Sequence, residues 1–277
     1  MKYILEKDCI KVYSKEEFNP QHILECGQVF CFQKEGGKYI VFPGEEYAEI
    51  IEEKSFYIIK TKNPCYFEKW FDLKNDYGEI KQALSTNSIM QNPLDFGGGI
   101  RILKQDLFET LISFIISANN NIKRIALILN NLRKTLGRPV SEGVYSFPSY
   151  DKLKMMDEDF LKSMGAGYRA GYIVKVLRQI TPKTLEEWNC LPTSELRAKL
   201  IQLSGVGPKV ADCVLLFGYN RGDVFPVDTW IQQMYNTYFP RESNREKIRK
   251  NLVDMFGQLS GYAQQYLFYY QRSGSTV

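Results

Sequence analysis

The stretch LSGVGPKVADCV, Leu203–Val214, decides how the rest of the chain is read. Gly205-Val206-Gly207 spells a tight turn, and Pro208 follows where its missing N–H costs a helix nothing. With TSELRAKLIQ ahead of it, residues 193–202, the segment reads as two short helices joined at a glycine turn. Leu196, Leu200 and Leu203 form one apolar edge; Val210, Val214 and Leu215 form the other. Thr193 or Ser194 is the expected cap of the first helix. Glycines at 205 and 207 allow a sharp turn and keep side chains away from the backbone N–H groups. Free N–H groups at a helix start, that of Val210 among them, bind anions, and a nucleic-acid phosphate suits them. An ordinary αα corner is the alternative.

Lys209 is out of place. The positive end of a helix dipole disfavours cations, and apolar neighbours disfavour the ammonium form through desolvation. Both conditions ready the amine to act as a nucleophile able to form a Schiff base. A charged lysine on a phosphate is the other role open to it. Nineteen residues on, in GDVFPVDTWIQQMY, Asp228 precedes a helical run. An aspartate there caps the helix, stays ionised, and stabilises a developing cation if one forms nearby. Capping alone is its simpler role.

The chain has 277 residues, 44% of them hydrophobic, enough for a sizeable core. No uninterrupted apolar run reaches the ~18 residues of a membrane span, and the charged N-terminal stretch does not read as a signal peptide. Six cysteines without a C-x-x-C pair read as reduced thiols in the cytosol. A single histidine, His22, excludes a multi-histidine metal site. Charge is asymmetric: twelve basic against sixteen acidic residues in 1–100, twenty-four against sixteen in 101–277. The basic second part suits a polyanionic partner.

Residues 1–62 read as strands, with EGGKY as a hairpin turn. From about Tyr66 the period becomes helical. Helices are expected from Asp106 to about Ala118 and from Ile122 to Leu136, ending at Gly137. Nine more follow, at about 149–155, 157–163, 167–179, 183–189, 193–202, 208–218, 228–236, 243–256 and 260–272. Strands first, helices afterwards, give an α+β chain. Its expected parts are an antiparallel β domain over 1–95 and a helical region over 96–277, with the hairpin at about 193–218.

The run from Leu203 to Asp228, G-V-G-P-K-V-A-D-C and then V-D, resembles the helix-hairpin-helix DNA glycosylases, and within them the 8-oxoguanine DNA glycosylase/AP lyase family. GQVFCF (27–32), FIISANNNIKRI (114–125), GAGYRAGYI (165–173) and GYAQQYLF (261–268) resemble segments of that family in the same order. The resemblance covers essentially the whole chain. It implies that Lys209 attacks C1′ of the damaged nucleotide and that Asp228 stabilises the oxocarbenium-like state. It further implies that the base is flipped out of the duplex, with Tyr168 wedging into the stack and Asn119 filling the gap. Arg124 and Arg169, with Asn119, would read the orphaned cytosine. The Gly27 carbonyl would accept the N7–H that 8-oxoguanine has and guanine lacks. Gln264 would meet the Watson–Crick edge, and Phe268 and Cys213 would sandwich the base. Singly, most of these positions also fit core or loop roles; their ordered set carries the resemblance.

Three departures stand out. Trp230 replaces a histidine that contacts the target strand in eukaryotic members. Cys31-Phe32 replaces the Arg-Trp that often follows the Gly-Gln-x-Phe pattern. No cysteine follows Cys213, so the iron–sulfur branch of the superfamily is not indicated. The expected function is excision of 8-oxoguanine from double-stranded DNA, opposite cytosine, with strand cleavage by β-elimination and no cofactor. A monomer in a bacterial cytoplasm, associated with the nucleoid, is expected. A glycosylase for another damaged purine, or a helix-hairpin-helix DNA-binding module without chemistry, are the alternatives.

Overall fold

The computed structural model describes residues 1–274. Six short strands, β1 (Tyr3–Glu6), β2 (Cys9–Val12), β3 (Phe32–Glu35), β4 (Lys38–Val41), β5 (Ala48–Glu52) and β6 (Tyr57–Thr61), make one antiparallel sheet ordered β1-β2-β6-β5-β4-β3. Glu35 pairs with Lys38 across Gly36-Gly37, both at positive φ, as a two-residue hairpin requires. Alternation sets the inner face: Ile10 and Val12, Ile50, and Tyr57 and Ile59 are buried together with Trp70 and Phe71. A five-residue helix, Pro20–Leu24, interrupts the strand series. It is too short to show a helical period, and only Asn19 as cap and Pro20 at the first position announce it.

The helices fall into two packed groups. Helices Leu107–Ser117, Ile122–Leu136, Arg169–Gln179, Thr193–Ile201 and Pro208–Phe217 share one core. Helices Tyr77–Leu84, Gln91–Phe96, Thr229–Tyr238, Arg245–Phe256 and Ser260–Arg272 share another, which also takes in Cys26 and Ile100. Arg101 joins sheet and helices. It is fully buried, donates to the carbonyls of Glu17, Phe71, Asp72 and Asn75, and lies 4.0 Å over the Tyr77 ring. A two-stranded ribbon, Pro139–Ser141 with Val144–Tyr145, lies inside the helical region. Two- and three-residue strands give no readable alternation. Among the described residues no helix is long and apolar enough to cross a membrane.

The helix-hairpin-helix forms as expected, with one correction. Neither Thr193 nor Ser194 caps the first helix; Pro192 holds the N-cap position without a side-chain bond. The Thr193 hydroxyl instead donates to Asp223 at 3.0 Å, tying the hairpin to the loop before Val224. Bonds to a carboxylate are among the stronger side-chain hydrogen bonds, so this one fixes the hydroxyl's direction.

Candidate active site

A cleft of about 1210 Å³ opens between the two helical groups. Gly27, Asn119, Gly205, Gly207, Lys209, Val210, Asp228 and Phe268 line it. Positions separated by most of the chain thus reach one space.

The hairpin supplies one wall. Gly205 sits at φ +79, and a Cβ there would lie 2.7 Å from Tyr172 Cβ, so conformation and space both require glycine. Gly207 caps helix Pro208–Phe217 with no side-chain bond, and a Cβ on it would meet open space. The first turn of that helix is therefore bare toward the cleft. The Lys209 ammonium lies 5.2 Å from the Phe114 ring centroid, a cation–π contact worth about 0.5–1 kcal/mol. Phe114 is itself fixed between Phe217, stacked at 5.4 Å, and Phe30. One turn on, burial pushes the Cys213 thiol up to about 11; Lys209 pulls the other way and Asp228 adds to the rise. The thiol therefore senses both the amine and the carboxylate. Asp228 caps helix Thr229–Tyr238, its Oδ1 accepting from the Ile231 N–H at 3.0 Å. Asp212 braces the lysine helix from behind. It is 1% exposed and accepts from Arg197 at 2.7 and 3.2 Å and from Arg249 at 2.9 Å. Burial raises its carboxyl above the ordinary range, against the pull of both guanidinium groups.

The opposite wall joins the two ends of the chain. Gly27 has φ +86, and a Cβ on it would lie 3.0 Å from Arg272 Nη1, 3.2 Å from Phe268 and 3.3 Å from Ile122. Gln28, fully buried, pins the segment by donating to the carbonyls of Ile23 and Arg101 and accepting from Leu103 N–H. Gln265 donates to the Cys26 carbonyl at 3.1 Å, and Arg272 donates to that of Glu25. Phe268 faces the cleft, with Arg272 5.4 Å from its ring. Gln264, one turn earlier, is 5% exposed, and its Oε1 is enclosed without a partner.

At the rim, Asn119 holds a left-handed φ of +48 after helix Leu107–Ser117 ends, a conformation asparagine tolerates better than most residues. Arg169 secures it. Its Nε donates to the Ala118 carbonyl and its Nη2 to that of Asn119, each at 2.7 Å. Arg169 is 4% exposed. Through these two bonds it holds the asparagine turn. Tyr168 stands over Arg169, 54% exposed, its hydroxyl reaching the Ala118 carbonyl at 3.3 Å. Arg124 is exposed in the first turn of helix Ile122–Leu136 and does not line the cleft. Trp230 lines the cleft beside Asp228, 41% exposed.

Sequence reasoning missed Phe114, Gln28, Gln265 and Arg272. Arg272 follows Phe268 by four residues on one helix face, a spacing that signals their stacking. Gln28 and Gln265 act only through long-range carbonyls and give no local signal. Among the described residues no group of three His, Cys, Asp or Glu side chains converges.

Comparison with known proteins agrees with this architecture. Residues 11–111 match the N-terminal domain of 8-oxoguanine DNA glycosylase, and residues 112–258 match the HhH-GPD superfamily of base excision DNA repair proteins. A probable N-glycosylase/DNA lyase of Methanothermobacter thermautotrophicus is 33% identical, covering 73% of this chain and 72% of its own. N-glycosylase/DNA lyase OGG1 of Arabidopsis thaliana is 35% identical over 61% of this chain and 51% of its own length. The 8-oxoguanine glycosylase/lyase of Clostridium acetobutylicum, crystallised with double-stranded DNA containing cytosine opposite 8-oxoG, superposes with a TM-score of 0.93. It is 37% identical, over 99% of this chain and 98% of that one. The chain belongs to the 8-oxoguanine DNA glycosylase family of helix-hairpin-helix base excision repair proteins.

Proposed function

We propose that the protein excises 8-oxoguanine from duplex DNA opposite cytosine and cuts the resulting abasic strand. The observation that carries this reading is the meeting of Lys209 and Asp228 with Gly27 and Phe268 in one cleft. A nucleophile and a held carboxylate on one wall face a base-sized, glycine-lined wall on the other.

The flipped base enters between Phe268 and the Cys213 side. The Gly27 carbonyl accepts N7–H of 8-oxoguanine; guanine presents a lone pair there, and the buried mismatch costs about 1–3 kcal/mol. The enclosed Gln264 Oε1 gains a partner on the purine's Watson–Crick edge. The Lys209 nitrogen bonds to C1′ while the C1′–N9 bond breaks; the electron pair leaves with the base, which takes up the proton the nitrogen gives up. Asp228 stabilises the positive charge that develops on the sugar. Opening of the sugar ring gives an iminium; loss of a C2′ proton then expels the 3′ phosphate. Tyr168 and Asn119 occupy the vacated stack, and Arg124 and Arg169 approach the orphaned cytosine. A substrate in genomic DNA implies that the protein acts at the nucleoid.

Borohydride reduction during reaction with an 8-oxoguanine:cytosine duplex tests the chemistry. A covalent protein–DNA adduct is expected, and its absence overturns the Schiff-base step. Excision of N-methylated purines at the same rate overturns the lesion assignment. Duplexes carrying each of the four bases opposite 8-oxoguanine test the cytosine preference.

A further inference from the structure

The cations of the cleft are not equivalent. Arg249 spends its charge on Asp212, and Arg197 behind it on Asp212 and Glu246. Arg272 is turned to the Glu25 carbonyl. Arg245, the first residue of helix Arg245–Phe256, differs from Arg249 and Arg197 in having, among the described residues, no carboxylate partner, and from Arg272 in being exposed. Its Nη2 donates to Thr229 Oγ1 at 3.2 Å and its Nε to Gln232 Oε1 at 3.1 Å. Both partners are neutral, and among the described residues no carboxylate lies within ion-pair distance of it. The guanidinium is fixed in direction, on the cleft wall, with its charge uncompensated. A held cation loses little side-chain entropy when an anion arrives and has no existing ion pair to break.

Trp230 stands between Thr229 and Gln232 in the sequence of the helix that Arg245 braces. Its indole is 41% exposed inside the same cleft. An open aromatic and an uncompensated arginine lining one cleft match a ligand that carries an apolar ring and an anion on one unit. A nucleotide's deoxyribose and phosphate are such a unit. Asp228, two residues before Trp230, is on the same helix start.

We propose that Trp230 and Arg245 form a backbone clamp on the lesion-bearing strand, Arg245 taking a phosphate and Trp230 packing on the adjoining deoxyribose. The clamp holds the sugar that Asp228 faces and so sets its distance from Lys209. This rests on the function proposed above.

The test measures binding to a duplex with a non-cleavable tetrahydrofuran abasic analogue over a range of salt. Each phosphate contact contributes about −0.9 to the slope of log K against log salt. Arg245→Gln is expected to flatten the slope by about 0.9 and to weaken binding about fivefold at moderate salt. Arg245→Lys, which keeps the charge, is expected to restore most of the slope. Trp230→Ala is expected to weaken binding several-fold with the slope unchanged, and Trp230→Phe to recover it. Lys7→Gln, an equal charge loss on the exposed β1–β2 turn, supplies the background change. An Arg245→Gln slope no flatter than that of Lys7→Gln overturns the proposal. So does an Arg245→Lys slope as flat as that of Arg245→Gln, because the effect then belongs to the Thr229 and Gln232 bonds. The native chain separates this failure from failure of the function itself: native protein that binds and excises 8-oxoguanine while the Arg245 variants keep its slope refutes only the clamp.

Discussion

The two walls of the cleft are built over different sequence distances. Lys209 and Asp228 come from two consecutive helix starts, Asp228 bonded to Ile231 N–H within its own helix and Lys209 set over the Phe114 ring. Gly27 and Phe268 come from opposite ends of the chain, joined by the bond from Gln265 to the Cys26 carbonyl and by Arg272 to Glu25. On the proposed mechanism, the first wall holds what a reaction on any abasic sugar needs, and the second meets only a base. Catalysis and recognition are therefore separable by substrate. A preformed abasic site engages the first wall alone, and a damaged purine engages both.

Lys209→Gln breaks the first wall outright. Adduct trapping and strand cleavage are expected to disappear on both substrates, with excision down at least about a thousandfold, measured under single-turnover conditions. Equal loss on both substrates supports the division; an intact adduct on a preformed abasic site would place the Schiff base elsewhere.

Asp228→Asn comes next. Asparagine caps a helix about as well as aspartate, so the bond to Ile231 N–H and the thermal midpoint should survive. Loss of the negative charge is expected to slow base excision by about 10²–10³-fold. Undiminished excision by Asp228→Asn, with a stability loss in Asp228→Ala alone, would instead mark the residue as a cap only.

These first-wall residues were legible because a lysine at a helix start contradicts a local rule, and a contradiction is visible without a partner. The strand-then-helix order was legible for a similar reason, since period and turn residues are local. The Gly27 wall was not readable that way: Gly27 alone is a glycine between strands, and only the resemblance of GQVFCF gave it a role. The contacts that seat it, through Gln28 and Gln265, join backbone carbonyls to amides and leave no pattern in sequence. Arg169 shows the reverse limit. Its segment was legible, yet its donors go to the Ala118 and Asn119 carbonyls, a choice settled by where helix Leu107–Ser117 ends.

Gly27→Ala sharpens the comparison from the second wall. The substitution is strained at φ +86 and pushes on Arg272, Phe268 and Ile122, at a cost of about 1–3 kcal/mol. Excision of 8-oxoguanine is expected to fall about ten- to a hundredfold, while cleavage of a preformed abasic strand stays within about twofold. Parallel loss on both substrates would show that the walls are mechanically coupled.

The smallest effect lies one turn beyond Lys209 on its helix. Burial raises the Cys213 thiol to about 11, from about 8.5 in an unfolded chain. A group whose proton is held more tightly in the folded state contributes stability that is fully present below its unfolded value. That contribution is lost as pH rises toward the folded value, because the unfolded chain releases the proton first. Native protein should therefore lose stability between about pH 8.5 and 11. Cys26, also raised to about 11 by burial, contributes in the same window. Cys213→Ala should flatten that alkaline decline while leaving the Cys26 share in place, and Cys26→Ala should do the converse. Thermal midpoints across the window, taken as differences from native, check this. If Cys213→Ala declines in parallel with the native chain, the thiol ionises inside the fold, and the Lys209 ammonium beside it outweighs burial.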